Sequence, residues 1–228
     1  MRKNSKDFIE KIKQYDPKKT YTAQEAIELG QKFSYEKFDA AVEVHVRTGI
    51  DPKKNDQVIR GSIVLPHGTG KSKKVAVFAE GDAAVEATRE GADIVGGKEL
   101  IQEIKQSGKA DFEAAIATPD MMKHLAVVAK VLGPKGLMPS PKNDTVTNNV
   151  GVAIKDIKRG KVSFKNDVSG NVHQVIGKRS FDAAMLFENY TSFMDALQKS
   201  KPAASKGIFI RNISLSTSMG PGIKIELS

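Results

Sequence analysis

Near its C-terminal end the chain reads Ser214-Leu215-Ser216-Thr217-Ser218-Met219-Gly220-Pro221-Gly222. Apolar and polar residues alternate over 208–213 and again over 223–227, which predicts two β-strands on either side of a Gly-Pro-Gly turn. Hydroxyl groups can bond phosphate or ribose, and Met219 adds a soft apolar surface. This combination suits unpaired, folded RNA. The alternative is an ordinary hairpin with polar residues facing water, since Ser, Gly and Pro are common in turns.

Composition narrows the class of protein. Lys and Arg total 36 against 27 Asp and Glu, a net charge of +9, and such an excess favours polyanionic partners, nucleic acid first. Cysteine is absent, which excludes disulfides, zinc–thiolate sites and thiol catalysis. No apolar run approaches the ~18 residues of a spanning helix, and no signal peptide is apparent. We therefore expect a cytoplasmic protein without membrane contact.

The order of the predicted elements indicates two domains. Short apolar strands alternate with helical patterns from about 75 to 159, which predicts a parallel, Rossmann-like sheet. Residues 1–67 and 160–228 contain alternating strands, hairpin signals and two helices, one starting at the capping box Thr22-Ala23-Gln24-Glu25. We predict an α+β outer domain with an antiparallel sheet, discontinuous in sequence (1–67 and 160–228). Residues 68–159 form an inserted α/β domain. The outer segments carry +7 of the net charge.

Sequence patterns for other chemistry are incomplete. Gly68-Thr69-Gly70-Lys71-Ser72 resembles the end of a P-loop, but Leu65 stands where that motif needs glycine. The four histidines lack metal-ligand spacing, and no nucleophile elbow occurs. We expect no enzyme, no cofactor and no metal. The alternatives are a P-loop-like nucleotide-binding enzyme, which the motif disfavours, and a protein–protein adaptor. The Leu132–Lys142 loop is either functional or a rigid connector. Residues 1–15 are either an amphipathic helix or a basic arm.

The case for nucleic acid rests on three regions that could share one face of the outer domain. They are the terminal turn, the Lys37-Phe38 pair where the first strand begins, and the hairpin region around Lys165, His173 and Gly177-Lys178. An aromatic side chain after a lysine can stack on an unpaired base. The alternative for Phe38 is a place in the core, which is the commoner fate of phenylalanine.

Short motifs follow one another along nearly the whole chain. They are Lys37-Phe38-Asp39, Gly49-Ile50-Asp51-Pro52, Arg60-Gly61, Leu65-Pro66-His67-Gly68-Thr69-Gly70, Gly91-Ala92-Asp93, Ala117-Thr118-Pro119-Asp120, Leu132-Gly133-Pro134-Lys135-Gly136-Leu137-Met138-Pro139 and Ser218-Met219-Gly220. In this combination they closely resemble the L-one family of bacterial ribosomal proteins. The resemblance implies two domains, the second inserted into the first and joined to it by a two-strand hinge.

That resemblance also implies partners. The family binds large-subunit ribosomal RNA at the mobile lateral stalk near the tRNA exit site, where it assists release of deacylated tRNA. It also represses translation by binding the messenger RNA of its own operon. We expect a monomer when the protein is free.

Site residues follow by position. The expected RNA contacts are Lys37, Phe38, Lys165, His173, Gly177, Lys178, Thr217, Ser218, Met219 and Gly220. The expected hinge residues are Pro66, His67, Gly68, Arg159 and Gly160. Ala40 and Ala41 stand where the family usually shows an acid and a hydroxyl residue, so one polar contact of that strand is in question.

Overall fold

The computed structural model describes residues 16–34 and 36–227. The helix or arm predicted for residues 1–15 lies outside the described part of the chain. The described residues up to Gly70, together with those from Ser163 onward, form one compact unit, and Lys71–Val162 form the other. We call these unit 1 and unit 2.

The helices and strands are numbered here in chain order. They are α1 (Ala23–Phe33), β1 (Ala41–Thr48), β2 (Arg60–Val64), β3 (Val75–Phe78), α2 (Asp82–Arg89), β4 (Ile94–Gly96), α3 (Lys98–Ser107), β5 (Ala114–Ala117), α4 (Met122–Leu125), α5 (Ala129–Leu132), α6 (Val150–Lys158), β6 (Lys161–Lys165), β7 (Asn171–Lys178), α7 (Ala183–Lys199), β8 (Ile210–Thr217) and β9 (Ile223–Ile225). Short 3₁₀ helices occur at Asn55–Gln57, Pro119–Met121, Ala126–Val128 and Pro141–Asn143. No helix among the described residues has the length and apolar character needed to cross a bilayer.

The main sheet of unit 1 is antiparallel and has the strand order β7-β1-β8-β9. Its central strand, β1, comes from the first segment of the unit, whereas both of its neighbours come from the second. Strands β2 and β6 form a separate two-stranded sheet. The chain therefore builds this sheet from two segments that lie more than a hundred residues apart.

The two faces of this sheet differ because side chains alternate along a strand. Val42, Val44 and Val46 of β1 are buried with residues of α1 and α7 in a single hydrophobic core. The intervening side chains of β1, including Glu43, His45 and Arg47, point to the other face and stay at least partly exposed. We call this second surface the open face of the sheet.

Two helices cover the sheet, and the first of them, α1, begins where the sequence predicts. Thr22 and Glu25 form the reciprocal capping box at the start of α1, which satisfies amides that a helix end otherwise leaves unpaired. Helix α7 starts after Asp182 and buries Leu186, Tyr190, Phe193 and Leu197. This three- and four-residue spacing produces one apolar stripe facing the sheet.

Unit 2 has three layers around a parallel sheet with the order β4-β3-β5. All four residues of β3 are buried, as expected for a strand covered on both faces. Val75 and Val77 pack with residues of α2 and α6, and Ala76 and Phe78 pack with residues of α3, α4 and α5. The predicted fold class, with a discontinuous antiparallel unit and an inserted α/β unit, is confirmed.

Candidate RNA-binding surface

Strand pairing brings the predicted contact region at Lys37 and Phe38 next to the terminal turn. The Ala41 N–H donates to the Ser218 hydroxyl oxygen at 3.1 Å, and the Ser218 N–H donates to the Ala41 carbonyl at 3.1 Å. The Met219 N–H donates to Glu36 Oε1, also at 3.1 Å. These hydrogen bonds link residues 36–41 to residues 217–219, although the two segments are nearly 180 positions apart in sequence.

Two large apolar side chains stand exposed on this junction. Phe38 is 55% exposed and Met219 is 50% exposed, so Phe38 is not a core residue. Water-exposed apolar groups that a fold holds at a junction are candidates for contact with a partner. We define the tip surface as Lys37, Phe38, Lys178, Ser218, Met219 and Gly220.

A buried carboxylate supports the tip surface from below. Glu36 is almost completely buried and accepts hydrogen bonds from the Ser34 hydroxyl and the Met219 N–H. Burial by itself raises the pKa of Glu36, but these hydrogen bonds, with the nearby charge of Arg179, outweigh it and hold the pKa below its ordinary value. The ionised carboxylate therefore fixes the backbone at Met219.

The turn that carries Lys37 and Phe38 is held to the end of β7. Asp39 accepts hydrogen bonds from the Ser180 N–H at 3.1 Å and the Ser180 hydroxyl at 2.9 Å. The Lys178 ammonium donates to the Asp39 carbonyl at 3.3 Å, and the Arg179 N–H donates to the Ala40 carbonyl at 2.8 Å. Lys178 therefore lies beside Lys37 and Phe38, as the tip surface requires.

Two of the predicted contact residues, Thr217 and Gly177, are buried and therefore shape the surface through packing. Thr217 is 4% exposed, and a Cβ at Gly220 would overlap its hydroxyl oxygen. Gly177 is buried, and a Cβ there would come within 2.6 Å of Leu186 and 3.0 Å of Phe181. Glycine at 177 is thus required for packing of α7, and Thr217 and Gly220 shape the terminal turn.

A hydrogen-bonded chain of side chains crosses the open face from β7 to β8. His173 and His45 face each other with their Nδ1 atoms 2.8 Å apart, so one ring donates and the other accepts. His45 Nε2 lies 2.9 Å from the Ser216 hydroxyl oxygen, and His173 Nε2 lies 3.4 Å from Asp167 Oδ2. We call Asp167, His173, His45 and Ser216 the histidine chain.

The surroundings of the histidine chain determine the ionisation of its members. Partial burial lowers the pKa of His45, the charge of neighbouring His173 lowers it further, and Glu43 acts in the opposite direction. Burial by itself raises the pKa of Asp167, but hydrogen bonds from the amides of Asn171 and Ser169 outweigh it, and the pKa falls to about 2. At neutral pH the histidine chain therefore starts at the fixed negative charge of Asp167, and the His45 imidazole within it is uncharged.

Lys165 is not part of the tip surface. It ends β6, and its neighbour Asn166 bridges to Val172 at the start of β7, whereas Lys178 ends that strand. Six residues at about 3.3 Å each separate the two positions along β7. The structure thus divides the predicted contacts between the tip surface, the open face and the far end of the sheet.

Sequence reasoning missed His45, Asp167 and Glu36 as parts of this surface. Alternation along β1 indicates that His45 lies on a wet face, but only the strand order shows that His173 and Ser216 flank it. Glu36 has no signal in the sequence, because its role depends on a distant amide.

The predicted hinge residues lie close to the two positions where the chain passes between the units. The His67 N–H donates to Asn189 Oδ1 at 3.1 Å, and Asn189 Nδ2 donates to the Gly68 carbonyl at 3.0 Å. Asn189 is fully buried in α7, so residues 67 and 68 are held to unit 1. Pro66 precedes them in the same turn, and Arg159 and Gly160 follow α6 in unit 2.

Comparison with known proteins agrees with this architecture. Residues 31–221 match the model of the family described as "Ribosomal protein L1p/L10e family". The chain is 51% identical over 226 residues to the large ribosomal subunit protein uL1 of Kosmotoga olearia, and this alignment covers 99% of the chain and 97% of that protein.

Both matches extend over most of the chain and include both units. These matches identify the protein as a structural, RNA-binding component of the large ribosomal subunit in the cytoplasm, without enzymatic activity. The chain therefore belongs to the ribosomal protein L1p/L10e family.

Proposed function

We propose that this protein binds large-subunit ribosomal RNA at the mobile lateral stalk, near the exit site for tRNA, and assists release of deacylated tRNA there. We further propose that it represses translation by binding a similar fold in the messenger RNA of its own operon. One observation carries the proposal: two segments distant in sequence meet at the tip surface, where Phe38 and Met219 are both exposed.

The chemistry of the tip surface suits RNA with unstacked bases. The Phe38 ring provides a stacking platform, and stacking is worth about 1–3 kcal/mol per base. Lys37 and Lys178 reach phosphates, which fixes the position of the RNA. The Ser218 hydroxyl accepts from Ala41 N–H and still has its own proton to donate to a ribose or phosphate oxygen. Gly220 lets RNA approach the backbone.

The open face extends this surface. The imidazole rings and the Ser216 hydroxyl of the histidine chain offer donors and acceptors to the 2′-OH groups that distinguish RNA from DNA. We propose His173 as a contact residue because its side chain is about half exposed, and Thr217 and Gly177 as residues that position the contacts.

Under this proposal, release of tRNA requires that one part of the protein moves while the tip surface stays bound to ribosomal RNA. We place the pivot at the two passages between the units, flanked by Pro66, His67 and Gly68 at the first passage and by Arg159 and Gly160 at the second. Support comes from the division of the chain near these residues and from the anchoring of residues 67 and 68 to unit 1 through Asn189.

The experiment that tests RNA binding is Met219→Asp, compared with Leu227→Asp. Leu227 is 49% exposed and lies beyond β9, so both variants add one negative charge at an equally exposed apolar residue. Like-charge contacts across an interface cost several kcal/mol, and about 1.4 kcal/mol is tenfold in affinity. We expect Met219→Asp to weaken binding about 100-fold and Leu227→Asp to leave it nearly unchanged.

The measurement is calorimetric titration at one fixed salt concentration, with transcripts of the stalk segment and of the operon messenger. Both transcripts should lose affinity together, because one surface serves both. Equal binding by Met219→Asp and the parent would refute the tip surface as the contact. Binding of the stalk transcript alone would refute the repressor role.

A further inference from the structure

A basic pocket lies at the end of the main sheet that is farthest from the tip surface. Its volume is about 450 Å³, and three cationic side chains line it: Lys54, Lys206 and Arg211. They come from three separate places, the loop after β1, the loop before β8 and the start of β8. We call these three residues the basic pocket.

The cations of the basic pocket have no ionic partner within the described residues: the salt bridges found there involve none of the three. Asp51, the acidic residue in the lining, accepts a hydrogen bond from the Lys53 N–H within its own loop. With Lys53 and Asp56 beside the pocket, positive charge exceeds negative charge by two.

The Gln57 side chain holds the walls of the pocket together. The Asp51 N–H donates to the Gln57 side chain at 2.8 Å, and Gln57 Nε2 donates to the Ala204 carbonyl at 3.4 Å. This joins the loops that carry Lys54 and Lys206. At Gly49, a Cβ would overlap the Ile208 carbonyl and come within 3.2 Å of Arg211 Nε. Glycine thus leaves room for the guanidinium at the floor.

The position of the pocket separates it from the contacts proposed above. Strand β1 runs from Ala41, bonded to Ser218 at the tip, to Thr48, next to Gly49 in the pocket. Seven residue steps at about 3.3 Å place the pocket roughly 23 Å from the tip surface. One phosphate cannot touch both, and the open face with the histidine chain lies between them.

We propose that the basic pocket is a second binding site for phosphate groups of the RNA held at the tip surface. Unpaired lysine and arginine around a concave site suit phosphate oxygens. The inference rests on the proposed function, because the same RNA must cross the open face. The contact is to the backbone and independent of base sequence, so it raises affinity and fixes the direction of the RNA.

The test uses Lys54→Gln/Lys206→Gln in the full chain, with Lys18→Gln/Lys199→Gln as the matched control. All four lysines are exposed, each pair removes two charges, and Lys18 and Lys199 lie next to α1 and in α7, away from the open face. The probe is the stalk transcript of the ribosomal RNA, titrated at several salt concentrations. We expect the pocket variant to lower the slope of log K against log salt by about 1 per lysine that contacts a phosphate.

The two proposals fail in different ways. If the parent binds the transcript and Met219→Asp does not, but the pocket variant matches its control in affinity and salt slope, the second site is wrong and the tip surface stands. If the parent itself does not bind the transcript, the proposed function fails and the second site fails with it. Melting temperatures of both double variants confirm that each is folded.

Discussion

The lack of a Cβ atom at Gly220 determines the shape of the tip surface. The Thr217 hydroxyl is buried beneath it and has no hydrogen-bond partner among the described residues. A side chain at 220 would meet that oxygen directly. Glycine is thus required by steric exclusion, and under the proposed function the same bare backbone is where RNA approaches.

Gly220→Ala should destabilise the protein by about 1–3 kcal/mol, the usual cost of inserting a methyl group into a packed site. The expected cause is the clash with the Thr217 hydroxyl, so Thr217→Ala should relieve it. A double-mutant cycle by urea denaturation measures this coupling. Strictly additive effects of the two changes would contradict the steric explanation.

The histidine chain connects three strands and a loop, so its ionisation affects the sheet as a whole. The lowered pKa of His45 means that the unfolded chain takes up a proton before the folded one does. The contribution of His45 to stability is therefore fully present above the ordinary pKa of 6.5, and it decreases as the pH falls below that value. The lowered pKa of Asp167 has the same sign at lower pH: its contribution is present above 3.8 and is lost as the pH falls towards about 2.

Asp167→Asn should reduce the loss of stability below pH 4 and leave the loss due to His45, which begins as the pH falls below 6.5, unchanged. Asparagine keeps an oxygen for the Ser169 and Asn171 amides but does not titrate. Part of the acid step should remain, because Glu36 and Glu25 also have lowered pKa values. Urea midpoints between pH 7.5 and 2.5 measure both steps. An unchanged acid step would show that Asp167 does not contribute to it.

Periodicity along the sequence predicts the elements but not their partners. Alternation in β1 and the buried run in β3 correctly identify a strand with one wet face and a strand covered on both sides. Strand order is set by contacts between distant segments, so His45 opposite His173 could not be predicted. Exposure of Phe38 and burial of Gly177 likewise depend on tertiary packing, which residue type alone does not specify.

At the scale of the whole molecule, every residue of the tip surface, the histidine chain and the basic pocket lies in unit 1. Residues 1–70 joined through a flexible Gly/Ser linker to 163–228 should therefore fold and bind the stalk transcript within about tenfold of the full chain, or about 1.4 kcal/mol. Circular dichroism and titration measure both properties. Residues 71–162 alone are the control and should not bind. A joined chain that stays unfolded would count against two independent domains.

The central position of β1 between β7 and β8 affects the order of events during synthesis. When β1 leaves the ribosomal tunnel, neither of its neighbours has yet been translated, while all three strands of the parallel sheet emerge well before β7. The insert can therefore fold on the nascent chain while the first segment waits without a partner. A truncated product that stops before β8 lacks Ser218 and Met219 and cannot assemble the tip surface, so translation abandoned midway yields an inserted unit without its partner unit.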